Sequence, residues 1–91
     1  MKGGIALHPN DNVAVVASDV SESQIVLIAI EGQQTELQAN EPIPFGHKIA
    51  LQQIPKGHPV VKYGEVIGVA SSLIRAGDHV HVNNVKSLMN C

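Results

Sequence analysis

His79-Val80-His81-Val82-Asn83-Asn84 carries the densest set of functional groups in this 91-residue chain. In a strand, residues two apart share a face. His79, His81 and Asn83 are therefore expected to form one row, with Val80 and Val82 facing the core. Two imidazoles on one face can supply two metal ligands, or one ligand and one acid–base group. A metal normally takes three or four ligands, so the row alone is not a site. Gly46-His47-Lys48 is a second set. An imidazole beside an ammonium, just after a glycine, suits carboxylate binding or proton transfer. Lys62-Tyr63-Gly64 is a third. Lysine offers a point charge for a carboxylate or sulfonate, and tyrosine a hydroxyl donor. His8 and His58 each adjoin a proline and read as structural or exposed. The chain has no glycine-rich phosphate loop, no nucleophile elbow and no HExxH zinc motif.

The elements that position these groups centre on Ile43 to Gly68. Ile43-Pro44-Phe45-Gly46, Ile54-Pro55-Lys56-Gly57 and Ile74-Arg75-Ala76-Gly77 all read Ile-x-x-Gly. Each is followed by His or Asp and then an apolar run. Glycine adopts positive φ without a Cβ clash, so each reads as a tight turn launching a strand. Further strands are expected at Val13–Ala17, Gln24–Ile30, Thr35–Gln38, His47–Leu51, Val60–Lys62, Val66–Ala70 and Val80–Val82. Within His47–Leu51, Lys48 and Ala50 point one way and Ile49 and Leu51 the other. Gly4–His8 is a short apolar run ending in turn residues, and Ser18–Ser23 reads as a loop. Ser71–Ile74 reads as a helical turn or a strand continuation. Glu36–Asn40 has a competing helical reading but is too short for a stable isolated helix. The tail, Val85–Cys91, stays unassigned. Short strands broken by Gly and Pro indicate a mostly-β barrel or sandwich forming one domain over residues 1–91.

Composition narrows the function classes. Hydrophobic residues make up 44% and aromatics only 2%, so the core must be aliphatic. A domain this small buries only about two-thirds of its chain surface, and self-association or a larger partner is expected to cover apolar surface. The net charge is -2, with no basic stripe and no aromatic platform, which argues against nucleic-acid binding. Cys91 is the one cysteine, which rules out an internal disulfide and fits a reducing compartment. The N-terminus lacks the apolar core of a signal peptide, and the run at Ile25–Ile30 is too short to span a membrane. The expectation is a soluble cytoplasmic protein.

Three stretches together resemble a known module: LHPNDNVAVV, then GHKIALQQIPKGHPVVKYGEVIGVA, then IRAGDHVHVNNV. They are similar to the N-terminal SAF domain of the altronate and galactarate dehydratase family, whose fold is the β-clip. The match runs through nearly the whole chain in order, most loosely over Ser18–Glu41. The resemblance implies a mostly-β fold with at most one or two short helical turns. In some members the module is a separate small subunit.

The family dehydrates sugar acids with a divalent metal, typically iron or manganese. It removes the proton α to a carboxylate and expels a β-hydroxyl. That chemistry wants a base, a cation on the carboxylate and a Lewis acid. By resemblance, His47, Lys48 and His81 are the catalytic candidates, Lys62 and Tyr63 the substrate-binding ones, and His79 and His81 the metal ligands. His8, Asp11 and Asn12 match the opening HPxDN. The chain departs from the family at Asn83, which stands where a second histidine of the closing motif is expected. Asparagine is a poorer iron ligand than imidazole. The implied partner is a large catalytic subunit, encoded separately. The same assembly acting on a sulfonate such as sulfolactate is the alternative, and a non-catalytic SAF binding module is a third reading. His47, Lys48 and His81 are expected to converge at the domain edge, since the Gly46 and Gly77 turns share a pattern. A lysine near a histidine would keep that imidazole neutral.

Overall fold

The computed structural model describes residues 2–6 and 8–87. Leu7, inside the expected Gly4–His8 run, and the end of the tail with Cys91 lie outside these residues. The described residues form strands and turns only. In chain order they are β1 (Lys2–Ile5), β2 (Val13–Val16), β3 (Ile25–Ile30), β4 (Gln33–Gln38), β5 (Lys48–Ala50), β6 (Pro59–Lys62), β7 (Glu65–Ala70), β8 (His79–Val80) and β9 (Val85–Ser87). One sheet runs β4-β3-β1-β2-β5-β8 and a second β6-β7-β9. All pairings are antiparallel except β1 with β3. The mostly-β expectation holds, and no helical turn forms at Ser71–Ile74 or Glu36–Asn40. The first holds a bridge residue, Ile74, and the second is mostly β4, paired along its length with β3.

The three Ile-x-x-Gly turns form as expected. Gly46, Gly57 and Gly77 have φ of 82°, 87° and 92°. The amide after each glycine donates to the carbonyl three residues back: His47 to Pro44, His58 to Pro55, and Asp78 to Arg75, at 2.9–3.0 Å. A fourth copy sits in the segment expected to be a plain loop, Val20-Ser21-Glu22-Ser23. There Ser23 takes the glycine position with φ of 69°, and Gln24 N–H donates to the Ser21 carbonyl at 3.1 Å. Valine and serine stand at its two ends, so Ile-x-x-Gly does not mark it.

The four copies pair with one another. Val20 and Ile43 exchange both backbone hydrogen bonds at 2.9 Å, and Ile54 and Ile74 do so at 2.8 and 2.9 Å. The pairing also crosses over. Ser23 N–H donates to the Ala39 carbonyl and Gly46 N–H to Val16; likewise Gly57 donates to Ala70 and Gly77 to Ala50. Each acceptor lies four residues before a bridge residue, so the repeating unit is longer than Ile-x-x-Gly. It begins at a buried Val or Ala and ends at the positive-φ residue.

Each bridge pair anchors its own core. Val16, Val20, Ala39 and Ile43 belong to one cluster, with Val26, Ile28 and Ile49. Ala50, Ile54, Ala70 and Ile74 belong to the other, with Val13, Val60 and Val80. Burying each large aliphatic side chain contributes about 2 kcal/mol. Strand β5 separates the clusters by its period of two. Ile49 enters the first and Leu51 packs against it, while Ala50 enters the second. Lys48 shares the Ala50 face and so stands at the mouth of the second core.

The turn glycines should differ in cost. A Cβ at Gly57 meets nothing within 4 Å, whereas one at Gly77 collides with the Gln38 carbonyl oxygen and crowds the Asn40 amide. Gly57→Ala is expected to cost about 1–2 kcal/mol for the left-handed backbone alone. Gly77→Ala is expected to cost about 3 kcal/mol or more. Ser23→Gly is expected to stabilise by about 0.5 kcal/mol, strain relief exceeding the added chain entropy. Urea unfolding of the three variants checks the order; equal costs at Gly57 and Gly77 would contradict the packing at Gly77.

Candidate functional site

β5 and β8 are neighbours in register, with Lys48 opposite Val80 and Ile49 opposite His79. The two turn-launched strands therefore bring their first residues together. His47 Nδ1 lies 2.8 Å from His79 Nε2. The His79 and His81 rings stack with centroids 4.1 Å apart and planes 14° apart. Three imidazoles form a continuous row, with His79 in the middle. They line an open cleft of about 530 Å³ with Lys48 and Lys62, over an apolar floor that includes Ile67 and Val85.

The row does not arise from a long strand. β8 stops at Val80. Asn84 takes the backbone instead: its Oδ1 accepts His81 N–H at 2.9 Å and its Nδ2 donates to the His79 carbonyl at 2.9 Å. A short amide side chain competes with the sheet ladder in this way. The chain turns, with Asn84 N–H and Val85 N–H both donating to the His81 carbonyl at 3.0 Å. Two expectations are corrected as a result. Val82 is 90% exposed rather than buried in the core. Asn83 is exposed within the turn and does not continue the histidine row.

Glu41 is the residue that local sequence did not reveal. Its Oε2 accepts His79 N–H at 3.2 Å. Glu41, His79 and His81 each offer a donor atom within 4.8 Å of the others. Asn40 sets this up. Its N–H donates to the Gly77 carbonyl, and its Nδ2 donates to Ala76 O and to Asp78 Oδ1 at 2.9 and 2.8 Å. That clamp docks the segment before Ile43 onto the turn before His79, a contact across 38 residues that no spacing rule predicts.

Burial and the surrounding charge favour neutral imidazole at the centre of the row. Burial first, then the neighbouring His81 and His47, hold His79 below its ordinary pKa; Glu41 opposes, and Lys48 adds a smaller push downward. The expected lysine effect is thus present but minor. Burial, followed by repulsion from Lys62, also lowers Lys48.

The remaining candidates divide. Lys62 lines the cleft. Tyr63 is not a lining residue. It forms the β6–β7 hairpin tip with Gly64, at φ of 53° and 79°, and its ring centroid lies 5.4 Å from Lys62 Nζ. His8, Asp11 and Asn12 fasten this hairpin. Asn12 Nδ2 donates to Pro59 O and its Oδ1 accepts Val61 N–H, at 2.9 and 2.8 Å. Asp11 Oδ1 accepts Gly64 N–H at 2.8 Å and its Oδ2 accepts His8 N–H at 3.2 Å. A Cβ at Gly64 would press on the His8 ring. The opening motif thus supports the element that carries Lys62, and none of its three residues lines the histidine cleft.

The altronate/galactarate dehydratase SAF domain matches residues 2–88. Altronate dehydratase of Bacillus subtilis (strain 168) is 37% identical over 87 residues, covering 96% of this chain and 17% of that protein. Altronate dehydratase of Escherichia coli (strain K12) is 41% identical over 83 residues, covering 91% and 16%. The chain thus spans about a sixth of these two relatives. (2R)-sulfolactate sulfo-lyase subunit alpha of Chromohalobacter salexigens is 37% identical over 85 residues, covering 89% of this chain and 90% of that subunit.

The two causes acting on Lys48 can be separated. Lys62→Met removes the repulsion but leaves the burial. The Lys48 pKa should rise toward its ordinary value yet stay below it, read by NMR titration of its ε-methylene. An unchanged or lower value would contradict the shared cleft.

Proposed function

The chain belongs to the altronate/galactarate dehydratase SAF-domain family, and from that membership and its histidine–lysine cleft we propose that it serves as the small-subunit part of a sugar-acid dehydratase. It contributes His47, Lys48 and His81 to a composite active site that a large catalytic subunit completes. The observation that carries the reading is the convergence of three imidazoles and two lysines on one open cleft. An open cleft on a small domain suits a junction with a second body. Exposed Phe45, at 68%, and Val82 at the cleft rim offer apolar contact to that partner or to a second copy.

The residues divide the work by chemistry. Lys48 and Lys62 place positive charge where a substrate carboxylate docks, and burial strengthens that attraction. Tyr63 steadies Lys62 through its ring face. The carboxylate held there acidifies the neighbouring C–H bond. A general base at the composite site accepts that α-proton, and the β C–O bond breaks as the hydroxyl takes up a proton and leaves as water. His47 holds the row in place through its hydrogen bond to His79. A divalent iron or manganese, held by His79 and His81, would supply Lewis acidity to the substrate oxygens. The donor types fit such an ion, since imidazole suits iron.

A second reading, the alpha subunit of a sulfolactate sulfo-lyase, is favoured by coverage. The chain aligns with 90% and 94% of two such subunits, from Chromohalobacter salexigens and Paracoccus pantotrophus. There the same α-proton removal would precede cleavage of the β C–S bond, with the sulfonate group leaving as sulfite.

The test is co-expression with the large subunit and assay on altronate, galactarate and sulfolactate. The isolated chain, with iron or manganese added, is expected to turn over none of them. In the assembled enzyme, His47→Ala should lower kcat by about 10²-fold or more. Turnover by the isolated chain, or full activity of the variant assembly, would sink the reading; the preferred substrate decides between dehydratase and sulfo-lyase.

A further inference from the structure

We propose that Glu41, His79 and His81 form one divalent-cation site in this chain, with His47 as the positioning residue that orients His79. The inference takes its location from the composite-site reading above, and adds the third ligand and the orienting contact.

The donor set is the first argument. Two imidazoles and a carboxylate suit first-row divalent ions, and a two-His-one-carboxylate set leaves coordination positions open for substrate oxygens. Bonds of about 2.0–2.2 Å place donor atoms roughly 3–3.5 Å apart. The three donors already lie within 4.8 Å of one another, on half-buried side chains.

The hydrogen bonding is the second argument. His79 Nε2 is engaged by His47 Nδ1 at 2.8 Å. The nitrogen left for a cation is Nδ1, and Glu41 is already docked on the backbone N–H of the same residue. A neutral imidazole that gives its Nδ1 lone pair to a cation carries its proton on Nε2. That proton points to His47 Nδ1, which accepts it. Ligating histidines are commonly oriented by such an outer hydrogen bond. Asn84 fixes the backbone of both histidines from below, through His79 O and His81 N–H. The backbone of the site is thus held before any ion arrives.

The experiment uses the purified chain and Co(II), with binding followed by visible absorption and calorimetry, and needs no substrate. One equivalent of Co(II) should bind, with d–d absorption bands. Glu41→Gln should weaken binding at least tenfold and change the bands while leaving thermal stability of the ion-free chain near that of the parent. His47→Ala should weaken it about 10–100-fold, as loss of an outer-shell partner does. His58→Ala, outside the cleft, should bind as the parent does. Failure of the parent chain to bind, or equal affinity and spectra in Glu41→Gln and the parent, overturns the site. Such a result would leave the dehydratase reading standing, since the large subunit can hold the metal. Inactivity of the assembled enzyme would leave a measured cation site standing in turn.

Discussion

Two reciprocal backbone pairs hold this protein together. Val20 with Ile43, and Ile54 with Ile74, each exchange both of their hydrogen bonds while their side chains fill a core. A single residue pair is a short piece of ladder. It works here because each residue lies between a buried strand end and a positive-φ turn, whose amide reaches across to the partner's strand end. Buried backbone groups must find partners, and this crossing satisfies them where the chain reverses. The aliphatic composition follows from the same constraint. Isoleucine and valine fit a half-turn, half-strand position in a thin core, where large rings would not.

The histidine–lysine cleft is a by-product of that scheme. The Gly46 and Gly77 turns belong to different bridge pairs, yet their strands β5 and β8 lie side by side. The residues following the two turns therefore meet at one edge. Their side chains need not support the core, because Ile49 and Val80 already do so. His47, Lys48, His79 and His81 occupy positions that packing leaves available for chemistry. The opening motif has a different role. Asp11 and Asn12, only 6% and 8% exposed, spend their polar groups on the β6–β7 hairpin. They set the position of Lys62 without lining the cleft.

The site is also electrostatically economical. Burial first, and then repulsion among the imidazoles and lysines of one cleft, hold both His79 and Lys48 below their ordinary pKa. A neutral imidazole can act as a base or as a ligand. Glu41 supplies negative charge beside His79.

Much was legible in the sequence because it is local. Ile-x-x-Gly marks turns wherever it occurs, since positive φ is a property of one residue and strand launch of the next few. The alternation in His47–Leu51 predicted the two faces of β5 for the same reason. The family resemblance rested on contiguous motifs, and it reached the mostly-β fold and the histidines. The fourth turn at Ser23 escaped because tertiary bonds to Ala39 support a conformation that serine does not choose alone. Val82 and Asn83 were misplaced because a side chain, Asn84, outcompeted the ladder that alternation assumes. Glu41 was invisible because its meeting with His79 depends on β5–β8 pairing and on the Asn40 clamp. Which residues can do chemistry was decided by residue type and local spacing. Which of them share a site was decided by the tertiary structure, because long-range hydrogen bonds set those distances.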